Sequence, residues 1–235
     1  MISRIQTEST AHADLDMAWT VASIQRDFVD WRKGRPRYAV WAIDLDIPKL
    51  CAASLRVRQH LERYLLPHYG RNPHITVCIC GFPGSADGLD DDYTPALFKS
   101  HIASLESARL RPFSLAIGRP ETFTTAAYFT VHDQEAGIAR IRQALGSDGP
   151  GEKDFSYVPH VTFGLYRAQF SVIEVLQRMR SCPDLMSTRV MVGKLVLMTY
   201  EASEIAGLLT VACEFDFERQ ALRVLDENAM DELLR

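Results

Sequence analysis

The sequence predicts an α+β fold with antiparallel sheets, and three observations lead there. Strand-like and helix-like segments are mixed along the chain, yet several strand-like segments follow one another directly, whereas a doubly wound parallel sheet alternates the two. The order strand–helix–strand occurs twice, each time ending on a strand that opens Pro-His-apolar-Thr, at 73–76 and at 159–162. The sequence has no Gly-x-Gly-x-x-Gly or Walker-type loop, which removes the commonest dinucleotide and triphosphate readings.

The elements follow in order. A helix is expected over 14–33, where Met17, Val21, Ile24, Phe28 and Trp31 form one apolar stripe and Gly34 and Pro36 end it. Residues 38–45, YAVWAIDL, are apolar with β-branched and aromatic content and predict a strand. A turn at 46–48 leads into a helix to about 66, and the first motif strand, ITVCICGF, follows over 75–82. The stretch 81–95 is rich in Gly, Pro and Asp and predicts an exposed loop. Then come a helix over 95–108, strands at 112–118 and 126–133, a helix over 134–145 and a loop at 146–155. The second motif strand spans 160–166 and a helix 171–181; two long strands at 189–201 and 207–218 close the core. The tail, 219–235, predicts an amphipathic helix with Leu222, Leu225, Ala229 and Leu233 on one side. The chain thus divides into an N-terminal helical extension (1–36), a main domain (37–218) and a C-terminal helix (219–235).

Bulk properties narrow the function. At 235 residues the chain is long enough to bury a real core. No apolar run approaches the ~20 residues of a membrane span, and the polar, acid-containing N-terminus is unlike a secretory or transit signal. A soluble, cytoplasmic protein without a membrane partner is expected, monomeric by default. The net charge of −4, with no Lys/Arg block, argues against a protein that tracks long duplex nucleic acid. A small nucleotide or a chain terminus fits better. The five cysteines are scattered and include no Cys-x-x-Cys pair, so reduced core thiols are expected, Cys78 and Cys80 among them.

Side chains alternate across a strand. His74, Thr76, Cys78 and Cys80 are therefore expected on one face and Ile75, Val77 and Ile79 on the other. The second strand repeats this, with His160, Thr162, Gly164 and Tyr166 in front and Val161, Phe163 and Leu165 behind. Two histidines facing across a cleft can act as general base and general acid near neutral pH. A threonine beside each can donate a hydrogen bond to an anionic oxygen. A phosphodiester suits that set without an obligatory metal. His12, His60, His68, His101 and His132 lack the motif and are expected to be structural or surface residues.

Two His-x-Thr motifs, each opening an apolar strand in one half of the chain, resemble the 2H phosphoesterase superfamily. Its members include 2′,3′-cyclic phosphodiesterases and the so-called 2′-5′ RNA ligases. The resemblance covers about 37–217 and takes in YAVWAIDLDIP, which looks like the family's opening strand and turn. It implies a bilobal fold, two antiparallel β-sheets flanked by helices with a central cleft, and catalysis without metal or other cofactor. Carried over, the catalytic pair is His74 and His160 and the phosphate-binding pair is Thr76 and Thr162.

Around these, Tyr166, Trp41 and Tyr128 are candidate substrate contacts or base platforms, and Arg71, Arg119 and Arg167 candidate sources of positive charge. Asp90, Asp91 and Asp92 fit a solvated linker better than a calcium loop. Asp133 is a candidate helix cap. The expected activity is hydrolysis of a 2′,3′-cyclic phosphate or related 2′-linked phosphodiester on a nucleotide or RNA terminus. The alternatives are 2′-5′ end-joining of RNA and a non-catalytic nucleotide-binding regulatory module.

Overall fold

The computed structural model describes residues 18–84, 89–147, 157–183 and 187–234, with 25–28 as backbone only. Two sheets carry the fold. One has six strands in the order β10-β9-β8-β1-β2-β3 and the other four in the order β6-β5-β4-β7. In chain order the elements are α1 (Gln25–Arg32), β1 (Arg37–Asp44), α2 (Pro48–His60), β2 (His74–Pro83), β3 (Asp92–Tyr93) and α3 (Pro95–Ala108). Next come β4 (Phe113–Thr122), β5 (Ala126–His132), α4 (Gly137–Ala144), β6 (His160–Leu165) and α5 (Val172–Arg180). The chain closes with β7 (Thr188–Val192), β8 (Lys194–Glu201), β9 (Thr210–Asp216), β10 (Ala221–Val224) and α6 (Glu227–Leu234). The pairings are antiparallel apart from the short β2–β3 contact, so the α+β bilobal architecture holds.

A single apolar core joins the two sheets and helices α2 to α6, with Trp41, Ile75, Phe113, Phe163, Leu197 and Phe215 among its buried members. A second, smaller cluster covers the other face of the six-stranded sheet, where Trp31 of α1 packs on Tyr38 and Phe82 at 4.6 and 4.7 Å. Strand β8 lies between these clusters: Leu195 and Leu197 enter the first, Val196, Met198 and Tyr200 the second. It is therefore apolar through Leu195–Met198, as a strand covered on both faces must be.

Four expectations change, each for a tertiary reason. The first helix is confined to Gln25–Arg32, and the part expected over 14–17 lies outside the described residues. Residues 18–24 are extended because their backbone bonds to distant chain: Thr20 N to Phe170 O, Val21 N to Thr124 O and Ser23 N to Tyr166 O at 2.7–3.0 Å. Helix α2 stops at His60, short of 66, since Leu66 N donates to Leu165 O and Arg167 N to Tyr64 O across the lobes. The strand expected at 189–201 is two strands in different sheets, with Gly193 between them. The tail begins as a strand: Leu222 pairs with Phe215 and Val224 with Cys213, and only Glu227–Leu234 is helical. Helices α3 and α4 start where side chains cap them, Thr94 Oγ1 accepting from Leu97 N and the Asp133 carboxylate from Gly137 N and Ile138 N.

Candidate active site

Strand β2 starts at His74 and β6 at His160, one in each sheet. The expected alternation holds for the first four residues of each and then fails, because both strands carry a β-bulge. Along β1, Ala42 pairs with Thr76 and Trp41 with Cys78, so Val77 is an extra residue in β2. From there the faces exchange. Cys78 and Cys80 join the core, while Ile79 joins the cluster on the His74–Thr76 side. In the other lobe Tyr128 pairs with Thr162 and Ala127 with Gly164, leaving Phe163 as the extra residue. Gly164 then lies on the core side, where an added Cβ would sit 2.7 Å from Leu65 Cδ1. The bulges re-aim the strands: each leaves one imidazole and one hydroxyl in front and turns the residue after the extra one, Cys78 or Gly164, to the core side.

The two imidazoles are held alike. His74 Nδ1 lies 2.8 Å from Asn72 O and His160 Nδ1 lies 2.8 Å from Val158 O. A carbonyl only accepts, so Nδ1 carries the proton in each ring and Nε2 is left with the lone pair. Burial pushes the His74 pKa down to about 4; the hydrogen bond to Asn72 O opposes the shift, while Arg71 and His160 add to it. Burial likewise lowers His160, against its bond to Val158 O. Both rings are neutral at rest near pH 7.

The motif strands are also tied across the lobes. Tyr157, three residues before His160, donates its hydroxyl to Thr76 O at 2.8 Å. Tyr69, five residues before His74, donates to Thr162 O at 3.2 Å. Each tyrosine lies under an arginine, Arg142 over Tyr157 at 3.9 Å and Arg58 over Tyr69 at 5.3 Å. Arg142 also donates to Val77 O at the bulge, at 2.8 Å. Each lobe thus holds the backbone of the other lobe's motif threonine. Sequence reasoning missed both tyrosines; their signal was an aromatic shortly ahead of each Pro-His pair.

Next to His74 and Thr76 is a small cavity, open to solvent, lined by Arg71, Ile79, Tyr38 and Tyr200 as well as the motif pair. On the other side His160 is boxed by Phe123 and Tyr128, whose rings stack at 4.1 Å and meet the imidazole edge-on at 5.0 and 5.5 Å. Of the three candidate substrate contacts, only Tyr128 adjoins a motif residue. Trp41 is fully buried on the core face, its Nε1 donating to His101 Nδ1 at 3.1 Å. Tyr166 is fully buried too and bonds Thr122; the bulge at Phe163 turned it away from the front. Of the three arginines, Arg71 reaches the cavity, Arg119 pairs with Glu121 and Arg167 is exposed. Asp91 and Asp92 bind the Arg35 guanidinium, which also covers the Phe82 ring, so they anchor the chain after α1.

Residues 48–204 match the family model of the 2'-5' RNA ligase superfamily. Among solved structures the chain is similar to E. coli LigT complexed with 3'-AMP, at 16% identity over 77% of this chain and 98% of that one, TM-score 0.49. It is also similar to LigT in apo form, at 17% identity over 76% and 94%, TM-score 0.48. A third is TT0787 of Thermus thermophilus, at 16% over 77% and 97%, TM-score 0.47. No curated protein sequence matches the chain.

Proposed function

We propose, since this chain belongs to the 2'-5' RNA ligase superfamily, that it is a phosphodiesterase opening 2′,3′-cyclic phosphates or related 2′-linked phosphodiesters on a nucleotide or RNA terminus. The observation that carries this reading is the pair of histidines with Nδ1 tied to a carbonyl and Nε2 left for the substrate, each two residues ahead of a threonine on the same face.

In the reaction, one neutral imidazole takes a proton from water at Nε2 as the water oxygen bonds to phosphorus. The ester bond to the leaving ribose oxygen breaks, and the other ring, protonated at Nε2, gives that oxygen its proton. The product is a nucleoside monophosphate and the net proton count is unchanged. Burial keeps both rings neutral at rest, so the acid acquires its proton as the anionic phosphate binds and favours the imidazolium. Thr76 and Thr162 hydroxyls hold the non-bridging oxygens. Tyr128, beside His160, offers a face to the base. The chemistry needs no metal.

The test uses the full chain with a 2′,3′-cyclic-ended oligonucleotide, with and without a 5′-hydroxyl acceptor. A bell-shaped pH–rate profile, monophosphate product and turnover that survives EDTA are expected. Full activity in the His74→Ala/His160→Ala double variant refutes the mechanism, and loss on chelation refutes its metal-free part. Joined product with the acceptor points to ligation instead, and tight binding without turnover to a regulatory module.

A further inference from the structure

We propose that Arg71 is the anion anchor of the cleft: its guanidinium, laid over the Tyr200 ring beside His74 and Thr76, pairs with the phosphate of the bound nucleotide. The inference rests on the reading of the cleft as a nucleotide phosphate site.

Charge leads to it. A phosphodiester is anionic, yet the resting imidazoles are neutral and the threonines supply only hydroxyls. Among the described residues lining the cavity, Arg71 alone carries a permanent charge. Its guanidinium carbon stands 4.2 Å from the Tyr200 ring centre. Among the described residues it forms no ion pair with a carboxylate, and its Nε is buried without a hydrogen-bond acceptor. Most other buried or half-buried arginines here are satisfied within the protein. Arg35 holds Asp91 and Asp92, and Arg142 holds Val77 O and Ser147 O. A cation without a carboxylate partner on a cavity wall is what an incoming phosphate oxygen would complete.

Position leads to it as well. Arg71 does not ride on a loose surface turn. The residue before it is fixed by Gly70 N to Ala206 O at 2.9 Å, and the residue after by Asn72 Nδ2 to Asp46 Oδ2 at 2.9 Å. The same Asn72 carbonyl receives the His74 Nδ1 proton, so the anchor and the imidazole are set by one stretch of backbone. Stacking on Tyr200 restricts the guanidinium further. Its charge reaches His74, where it opposes protonation. The anchor therefore also biases its own half of the cleft toward the unprotonated, proton-accepting role.

The experiment compares wild type, Arg71→Gln and Arg71→Lys for binding of a 3′-nucleoside monophosphate by calorimetry, turnover of a 2′,3′-cyclic mononucleotide, and the His74 imidazole titration by NMR. Arg71→Gln is expected to weaken binding about tenfold or more, as loss of a charge-assisted bond does. KM should rise more than kcat falls, and His74 should titrate at higher pH. Arg71→Lys should restore part of the affinity and the low His74 titration, a recovery that a packing role would not produce. Where Arg71→Gln does not fold, Arg71→Met keeps the aliphatic stem on Tyr200 and serves in its place. Binding and KM within twofold of wild type, with His74 unmoved, overturn the anchor while normal turnover leaves the catalytic reading standing. Arg71-dependent binding without turnover of any cyclic phosphate upholds the anchor and removes the catalytic reading. A wild type that binds no monophosphate overturns the anchor.

Discussion

Around His74 and around His160 the backbone does the same things. Each ring gives its Nδ1 proton to the carbonyl two residues back, each strand bulges just beyond its threonine, and each threonine carbonyl is held by a tyrosine from the opposite lobe. The surroundings of the rings differ. His74 borders an open cavity with Arg71 and two tyrosines, whereas His160 is enclosed by the Phe123–Tyr128 stack. The proposed proton transfer needs two rigidly aimed rings, and the repeated backbone holds both rings in the same way. Recognition needs direction, because a nucleotide has a charged end and a flat end, and only the side chains that differ between the halves can supply it.

The symmetric part of that comparison is broken most severely at the rings. His74→Ala and His160→Ala should each lower kcat by ~10²–10⁴-fold, the usual worth of a general acid or base. Steady-state kinetics on a cyclic mononucleotide checks this, and a variant that keeps wild-type kcat removes that ring from the chemistry.

A second effect separates the halves by pH. In the folded chain His74 takes its proton near pH 4, and in the unfolded chain near its ordinary 6.5. Between those values the unfolded state binds more protons, so stability should fall as pH drops from about 6.5 to about 4, by about 3 kcal/mol for this residue. His160 contributes in the same direction. Urea midpoints measured across that range should flatten in His74→Gln, and an unchanged slope would show that His74 is not the group responsible.

Thr76→Val and Thr162→Val test the hydroxyls. Each removes one hydrogen bond to a charged oxygen, worth about 1.5–3 kcal/mol, or ~10–100-fold in kcat/KM, with the fold retained. Near-equal losses would sharpen the symmetry, and a loss at one position alone would break it.

The smallest effect is at the clasp. Tyr157→Phe and Tyr69→Phe each delete a neutral hydrogen bond to the opposite strand, at a cost of about 1 kcal/mol in stability. Tyr157, with the shorter bond, should matter more than Tyr69. Thermal unfolding reads the difference.

The placement of the four motif residues at the starts of two strands, and the two-lobed α+β fold, were legible because they depend on local pattern: a doubled Pro-His-x-Thr and strands bounded by turn residues. Family membership followed from the same four positions. What was not legible depends on pairing between distant segments. A bulge is one extra residue relative to a partner strand, so nothing within VCICGF or VTFGLY reveals that Cys78 or Tyr166 will change face. Trp41 lies on the core side of β1 because of what packs beneath it. Residues 18–24 satisfy a helical stripe but are drawn out by bonds to Thr124, Tyr166 and Phe170. In the tail, Leu222 fits an amphipathic helix and a strand equally well until β9 is there to pair with it.

The chain visits the two sheets in turn, and this has a consequence for how the molecule comes apart. After residues 18–24, which bond beside β6, it builds β1 to β3 in one sheet and β4 to β7 in the other. It then passes through the single residue Gly193 and returns to the first sheet for β8 to β10. The six-stranded sheet is thus assembled from two stretches that flank the other sheet's strands in the chain, and no one backbone cut releases it as a self-contained half. A gene split at either crossing keeps β4 to β7 on one fragment but separates β1 to β3 from β8 to β10, and those pieces must find each other before the six-stranded sheet is whole.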